Sequence, residues 1–396
     1  FTGCSSDDDA PVITAPVGDN VINVSGEVSP GTTWTNDNIY VLNQKVVVPS
    51  GVELTIEAGT IVKGKEGNGS LASALIVAQG GKLNAVGTAT EPIIFTSIND
   101  NIEIGQTAGT NLDETNSGLW GGLIVLGYAP CSFSGDVDVV QIEGIPADDT
   151  FGLYGGDNAT DNSGVYKYIS IRHGGALIGE GNEINGLTLG GVGSGTVIEN
   201  IEVVANVDDG IEFFGGTVNA SNLLVWAQGD DALDIDQAYS GTIDNAVVVL
   251  GANSDHAFEI DGPEGTATGG FTLKNATIVG NAVTQNGEYA DYRSSAMGRT
   301  ENIYAYGFKD SSDVELDNDG VATNYNDGLL TFGAWEIVLP AGVSDVMDIF
   351  ANKAETVMVS GFGSTASAVT EGANTVGATT SLLSWTYANA KAGLGF

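Results

Sequence analysis

Three short stretches carry residues whose types and spacing could do chemistry. They are Val-Asp-Asp-Gly-Ile-Glu-Phe-Phe at 207–214, Gly-Asp-Asp-Ala-Leu-Asp-Ile-Asp at 229–236 and Ser-Asp-His-Ala-Phe-Glu-Ile-Asp at 254–261. Aligned on the later acid, Glu212, Asp234 and Glu259 form one column. Asp208, Asp230 and Asp255 form a second column four positions earlier, with small Gly210, Ala232 and Ala257 between. If the copies stack as neighbouring strands, equivalent residues lie about 4.8 Å apart. Two carboxylates at that spacing repel by roughly 3 kcal/mol at an effective dielectric near 20. Water and salt can screen them, one carboxyl can stay protonated, or a cation can bind. Calcium takes about six to eight oxygens and tolerates irregular geometry. The expected site is therefore an acidic trough in which Asp208, Glu212, Asp230, Asp234, Asp255 and Glu259 hold Ca2+. Asp209, Asp231 and His256 have inward parity and are expected at a bend rather than in the core.

The elements that position these acids follow from the apolar residues between them. Ile211, Leu233 and Phe258, then Phe213, Ile235 and Ile260, alternate with the acids at period two. The pattern returns after 22 and then 25 residues, the signature of stacked β-coils. Alternation turns the apolar columns inward and Glu212, Asp234 and Glu259 outward. A second ladder, Asn200, Asn222, Asn245, Asn275 and Asn302, precedes apolar pairs at intervals of 22, 23, 30 and 27 residues. In register, these amides can bond one another and the backbone at a bend, a structural role.

From Val21 the chain is a series of short β-rich runs broken by Pro49-Ser50-Gly51 and Ala58-Gly59. The phrasing VPSGVELTIEAGTIVKG and, further on, ALIVAQGGKLNAVGTATEPIIFTS closely resembles the opening coils of right-handed parallel β-helix proteins of bacterial surfaces. The resemblance is specific over about residues 40–97, and implies an all-β fold: a single right-handed parallel β-helix with long loop insertions. The organisation expected is a tether over 1–20, the β-helix over 21–335 and a capping region over 336–396. Polar stretches 99–117 and 129–163 read as loops on one face, and 311–328 as an acidic loop. Ser381–Lys391, with Gly393 beyond it, reads as a short C-terminal helix plugging the last coil.

With 12 Lys+Arg against 51 Asp+Glu, the net charge of −39 excludes nucleic acid or an anionic membrane as partner. It suits divalent cations and a solvated, exposed surface. The start of the chain, Phe1-Thr2-Gly3-Cys4, resembles the end of a bacterial lipobox, and Ser5-Ser6-Asp7-Asp8-Asp9 resembles the acidic export tag of surface lipoproteins of the Bacteroidota. That resemblance implies lipidation at Cys4, an outer-membrane anchor facing the cell exterior, and no other contact with the membrane. Cys131 is then an unpaired, small buried hydrophobe.

The acidic series is also similar to the polygalacturonase series of Asn-Thr-Asp, Gly-Asp-Asp and Gly-His-Gly on this fold. Carried over, Asp209, Asp230 and Asp231 would be the acid and water-activating carboxylates, supported by His256. The sequence departs from that pattern at Val207, Asp255 and Ala257, and no Arg-Ile-Lys follows. Pectate lyases of the fold use calcium with an Arg or Lys base, for which Arg172, Lys274, Arg293 and Arg299 are the candidates. His173 reads as a turn residue. The Asx-rich run 157–164 reads as turns rather than a cation site. Trp120, Trp226, Tyr154, Tyr239, Tyr292, Tyr304 and Tyr306 are the aromatics available to stack on sugars, with Trp226 in a packing column. The function expected is a lipid-anchored surface protein that binds a glycan or a surface protein through its loops and a calcium-loaded trough. A polysaccharide hydrolase or lyase, or a structural subunit of an outer-membrane complex, are the alternatives.

Overall fold

The computed structural model describes residues 20–396 apart from 144, 147–148, 180–181 and 284–286. The tether and Cys4 lie outside the described residues. Twenty-five strands form one continuous ladder, and its pairings are parallel throughout. The expected parallel β-helix is the fold. Each coil contributes a strand to three faces, and each strand pairs with its counterpart one coil on.

The first face carries Leu123–Leu126, Leu187–Gly190, Ile211–Phe214, Leu233–Asp236, His256–Ile260, Glu288–Tyr292 and Val314–Leu316. Ile211, Leu233 and Phe258 are in direct register and point into the core, as the alternation requires. The other two faces are the halves of longer strands: Val197–Val204, Asn219–Trp226, Thr242–Val249, Phe271–Val279 and Gly298–Tyr306. Each of these bends at its Asn, all five of which have positive φ, from 57° to 69°. That left-handed conformation is one Asn adopts more readily than other side chains, and it places the column at a corner of the coil.

The amide ladder is real but interrupted. Asn245 donates to Asn222 at 2.8 Å and Asn302 to Asn275 at 2.9 Å. Between the pairs, Asn275 turns to Asp244 (2.7 Å), because the Asn245 oxygen is taken by the backbone N–H of Thr379 (2.6 Å). That contact belongs to the C-terminal segment, whose placement differs from expectation. The helix Tyr387–Ala392 forms, with Thr386 as its N-cap and Gly393 at φ 65° closing it. It does not plug the last coil. It runs back along the outside of the helix barrel and covers Val204, Leu224, Trp226, Val247 and Val249. These outward positions are apolar on this face, so they need a cover that the acidic face does not. Glu202, fully buried, accepts the N–H of Ala388 (2.7 Å) and the hydroxyl of Ser170.

Strands also continue beyond 335, at Trp335–Ile337, Phe350–Asn352 and Ala366–Ala368, so 336–396 is not a separate cap. Within the stretch expected to be loop, Asp319–Asn326 is helical. The side chain of Asn318 accepts the N–H groups of Gly320 and Val321, and Val321 and Ala322 are buried. Tyr325 from this helix packs with Phe332 and Phe362 in the last coils, and Phe362 packs in turn on Phe350.

The insertion 129–163 is likewise not a free loop. Phe133, Ile142, Ile145 and Tyr154 pack onto outward Ile124, Leu126 and Phe214 of the first face and onto Ile76, the register partner of Ile124 in the preceding strand Ala74–Val77. The insertion therefore roofs the part of that face which is apolar on its outside.

Candidate functional site

Outward on the first face, Thr188, Glu212, Asp234, Glu259, Asp291 and Glu315 stand in consecutive register. The acidic column has five rungs, two more than the sequence repeat indicated. Asp291 and Glu315 do not stand out in the sequence because the interval between rungs stretches to 32 and then shortens to 24 residues, and no Asp-Asp precedes them. The alternation Tyr289-Ala-Asp-Tyr292 was the one available signal. Two residues along the same strands, Asp236, Asp261, Arg293 and Asp317 add further charge.

These carboxylates are not an open trough. Glu212, Asp234, Glu259 and Asp291 are each more than nine-tenths buried. Asp209 and Asp231 are buried at the bend, where each accepts a backbone N–H from the next coil. The N–H of Asp209 goes to Asn185 Oδ1 (3.2 Å), that of Asp231 to Asp209 Oδ1 (2.9 Å) and that of His256 to Asp231 Oδ1 (2.7 Å). In the earlier column Asp208 and Asp255 are half-buried, whereas Asp230 is exposed.

Charge compensation divides the ladder in two. His256 Nδ1 lies 2.8 Å from Asp231 Oδ1 and 3.7 Å from Glu259. Burial pulls the imidazole down, but the hydrogen bond and charge of Asp231 outweigh it and push His256 up to about 9. Arg293 pairs with Glu259, reaches Asp261 at 2.7 Å and stands 4.0 Å from Asp291. Lys353 reaches Glu315 at 2.8 Å and Asp313 at 3.1 Å. So Glu259 and Glu315 have cationic partners, and Asp291 has one only at the 4.0 Å limit.

The earlier rungs have none among the described residues. Asp209, Glu212 and Asp234 bring carboxylate oxygens within 4.8 Å of one another, and Asp208, Asp209 and Asp230 do the same. Asp234 and Glu212 hydrogen-bond carboxyl to carboxyl, Asn185 donates to Glu212, and Asp234 Oδ1 is buried with no partner. Burial first, then the neighbouring acids, push Asp209, Glu212 and Asp234 well above the usual carboxylate range and Asp208 and Asp236 up to about 7. Glu143 of the roof adds its charge to Glu212 and Asp208. Asp255 joins no such cluster among the described residues.

The four residues carried over as catalytic, Asp209, Asp230, Asp231 and His256, fall on this face, but only Asp230 is exposed. Of the four candidate bases, Arg293 alone is here. Arg172 is fully buried beneath the ring of Tyr387, with its guanidinium carbon 4.3 Å from the ring centre. Lys274 and Arg299 pair with Asp244 and Glu301 on another face. His173 is a bend residue at φ 63° whose Nδ1 meets Asn116 O at 2.7 Å. In 157–164 the side chains of Asn158 and Asn162 accept backbone N–H groups two residues on and shape turns, while Asp161 accepts the N–H of Tyr128 (3.1 Å). Trp120, Trp226, Tyr154, Tyr239, Tyr292 and Tyr304 are buried, and half-buried Tyr306 packs on Tyr304. These rings are core and cover, not sugar platforms.

Comparison with known proteins places this architecture. The sequence profile of the pectate-lyase-like β-helix domain matches residues 26–389, and the chain belongs to that family. No curated protein and no solved structure matches it.

Proposed function

We propose that the chain is a surface-anchored binding protein that holds a divalent cation, calcium by the chemistry of its donors, at Asp209, Glu212 and Asp234. The observation that carries this reading is the buried Asp234 Oδ1, unpartnered inside a cluster of carboxylates with no cationic side chain. A buried, unpaired acid of this kind costs stability unless it is protonated or meets a cation. The donors are all hard oxygens in irregular array, which favours calcium over magnesium. Asp208 and Asp230 reach the cluster through Asp209, whereas Glu259 is already served by His256 and Arg293. The bound cation would let a glycan or protein partner approach a face that otherwise repels anions.

Titrating calcium into chelator-treated protein should raise its melting temperature, the rise growing with the logarithm of free calcium once the site is saturated. Asp234→Asn should remove most of that rise. Sodium at equal ionic strength working as well as calcium would sink the reading.

Hydrolysis or elimination has less support. Asp209 and Asp231 are tied to backbone amides, and Arg293 is held by carboxylates rather than free to take a proton. Turnover of a polyuronate by the purified chain, lost in Asp231→Asn, would favour the enzyme instead.

Anchoring through Cys4 rests on Thr2-Gly3-Cys4 and the acids that follow. Among the described residues no helix is long and apolar enough to cross a membrane. Cys4→Ala should move the protein from the membrane fraction to the soluble fraction, and full retention in the membrane would refute the anchor.

A further inference from the structure

We propose a second divalent-cation site lower on the same ladder, formed by Asp291, Glu315 and Asp317. It goes beyond the seat proposed above: the two share no residue, and Glu259 with its His256 and Arg293 partners stands between them.

Asp291 and Glu315 are register partners on adjacent coils, and Asp317 follows Glu315 by two residues, so alternation sends it to the same side. One carboxylate oxygen from each lies within 4.8 Å of the others. Asp291 is 6% exposed, and its Oδ1 has no hydrogen-bond partner. The basic groups nearby do not satisfy it. Arg293 is committed to Glu259 and Asp261, and approaches only Asp291 Oδ2, at 4.0 Å. Lys353 takes Glu315 Oε2 and Asp313 Oδ2, and the other oxygen of Asp313 is buried and unpartnered as well. Asp317 Oδ2 receives a long contact from Asn318 (3.3 Å).

Five carboxylates, Glu288, Asp291, Asp313, Glu315 and Asp317, thus share Lys353, the far side of Arg293 and the charge of His256. Burial first, then Glu315, pushes Asp291 up to about 7. A small hard cation resolves both the orphan oxygen and the excess charge. Asp317 is exposed, leaving an open side for the water ligands that calcium keeps. Lys353 is about half exposed (49%), so it can yield its two carboxylates to a cation and return to water at little cost. Lysine and metal therefore compete for Glu315.

Calorimetric titration of the full chain with calcium, after chelation, tests this. Two cations per chain are expected. Asp317→Asn, at an exposed position, should weaken one of them at least tenfold and leave the Asp234-dependent one unchanged. Lys353→Gln should strengthen the same site several-fold by removing its competitor. A single cation per chain, indifferent to both substitutions, would overturn the proposal while leaving the upper seat standing. Loss of the upper seat in Asp234→Asn with the Asp317-sensitive site intact would support the second site independently.

Discussion

Held in chelator, the chain is expected to lose stability as the pH rises from about 5 to about 8, and calcium is expected to restore it at the upper end only. The sign follows from two kinds of group. Burial and neighbouring acids hold Asp208, Asp236, Glu288 and Asp291 up to about 7, and Asp209, Glu212 and Asp234 well above the usual range. Between their ordinary values and these raised ones, the folded chain binds protons that the unfolded chain has released. Stability from that source declines as the pH climbs through the window and stays lost above it. His256, up to about 9, acts in the same direction: its ion pair contributes fully below its ordinary value and is lost as the pH passes the raised one.

Each unit of displacement is worth about 1.4 kcal/mol. Several coupled carboxyls together should amount to several kcal/mol, or a melting temperature lower by roughly 5–10 °C. Calcium displaces protons, so its stabilisation should be small near pH 5, where protons already neutralise the cluster, and large near pH 8. Thermal melts at both pH values, with chelator and with calcium, make the comparison. Stability that is flat or rises with pH in chelator would show that the ladder is ionised and solvated rather than buried and protonated.

Arg293→Gln is expected to be the most damaging single change on this face. The guanidinium serves Glu259 and Asp261 and stands near Asp291, and no other cationic side chain among the described residues forms an ion pair with Asp261. Removing one partner of a fully buried ion pair costs about 3–5 kcal/mol; with the guanidinium partly exposed, about 2–3 kcal/mol is expected. Because the damage is uncompensated negative charge, calcium should recover part of it, and more than an equal ionic strength of sodium does. Were Arg293 instead a catalytic base, its loss would abolish turnover of a polyuronate and leave the melt almost unchanged. Denaturant melts of the variant with and without calcium separate these outcomes.

Local pattern was enough for the architecture. Period-two alternation of Ile211/Phe213, Leu233/Ile235 and Phe258/Ile260, repeated at coil length, admits a stacked parallel ladder, and the inward and outward assignment of those residues follows from strand geometry alone. The Asn column was legible for a related reason, since a corner recurring once per coil needs a residue that accepts left-handed φ. The short C-terminal helix was also legible through its formers and Gly393, though of the expected Ser381–Lys391 only the stretch from Tyr387 is α-helical and Thr380–Leu383 is a 3-10 turn.

Where things lie against one another was not. The roof over Ile124 and Phe214 and the C-terminal segment against Trp226 and Val247 depend on apolar outward positions meeting partners far along the chain. Nothing in the spacing of either partner announces that meeting. The acidic site divides in the same way. Residue types and period placed Glu212, Asp234 and Glu259 in one column, but only the tertiary structure extended it to Asp291 and Glu315 across loops of unequal length. Only it delivered His256, Arg293 and Lys353 to one part of the ladder and no cation to the rest. Which carboxylates are left to hold a metal is a question of distance and burial, and those are properties of the packed coils rather than of the sequence order.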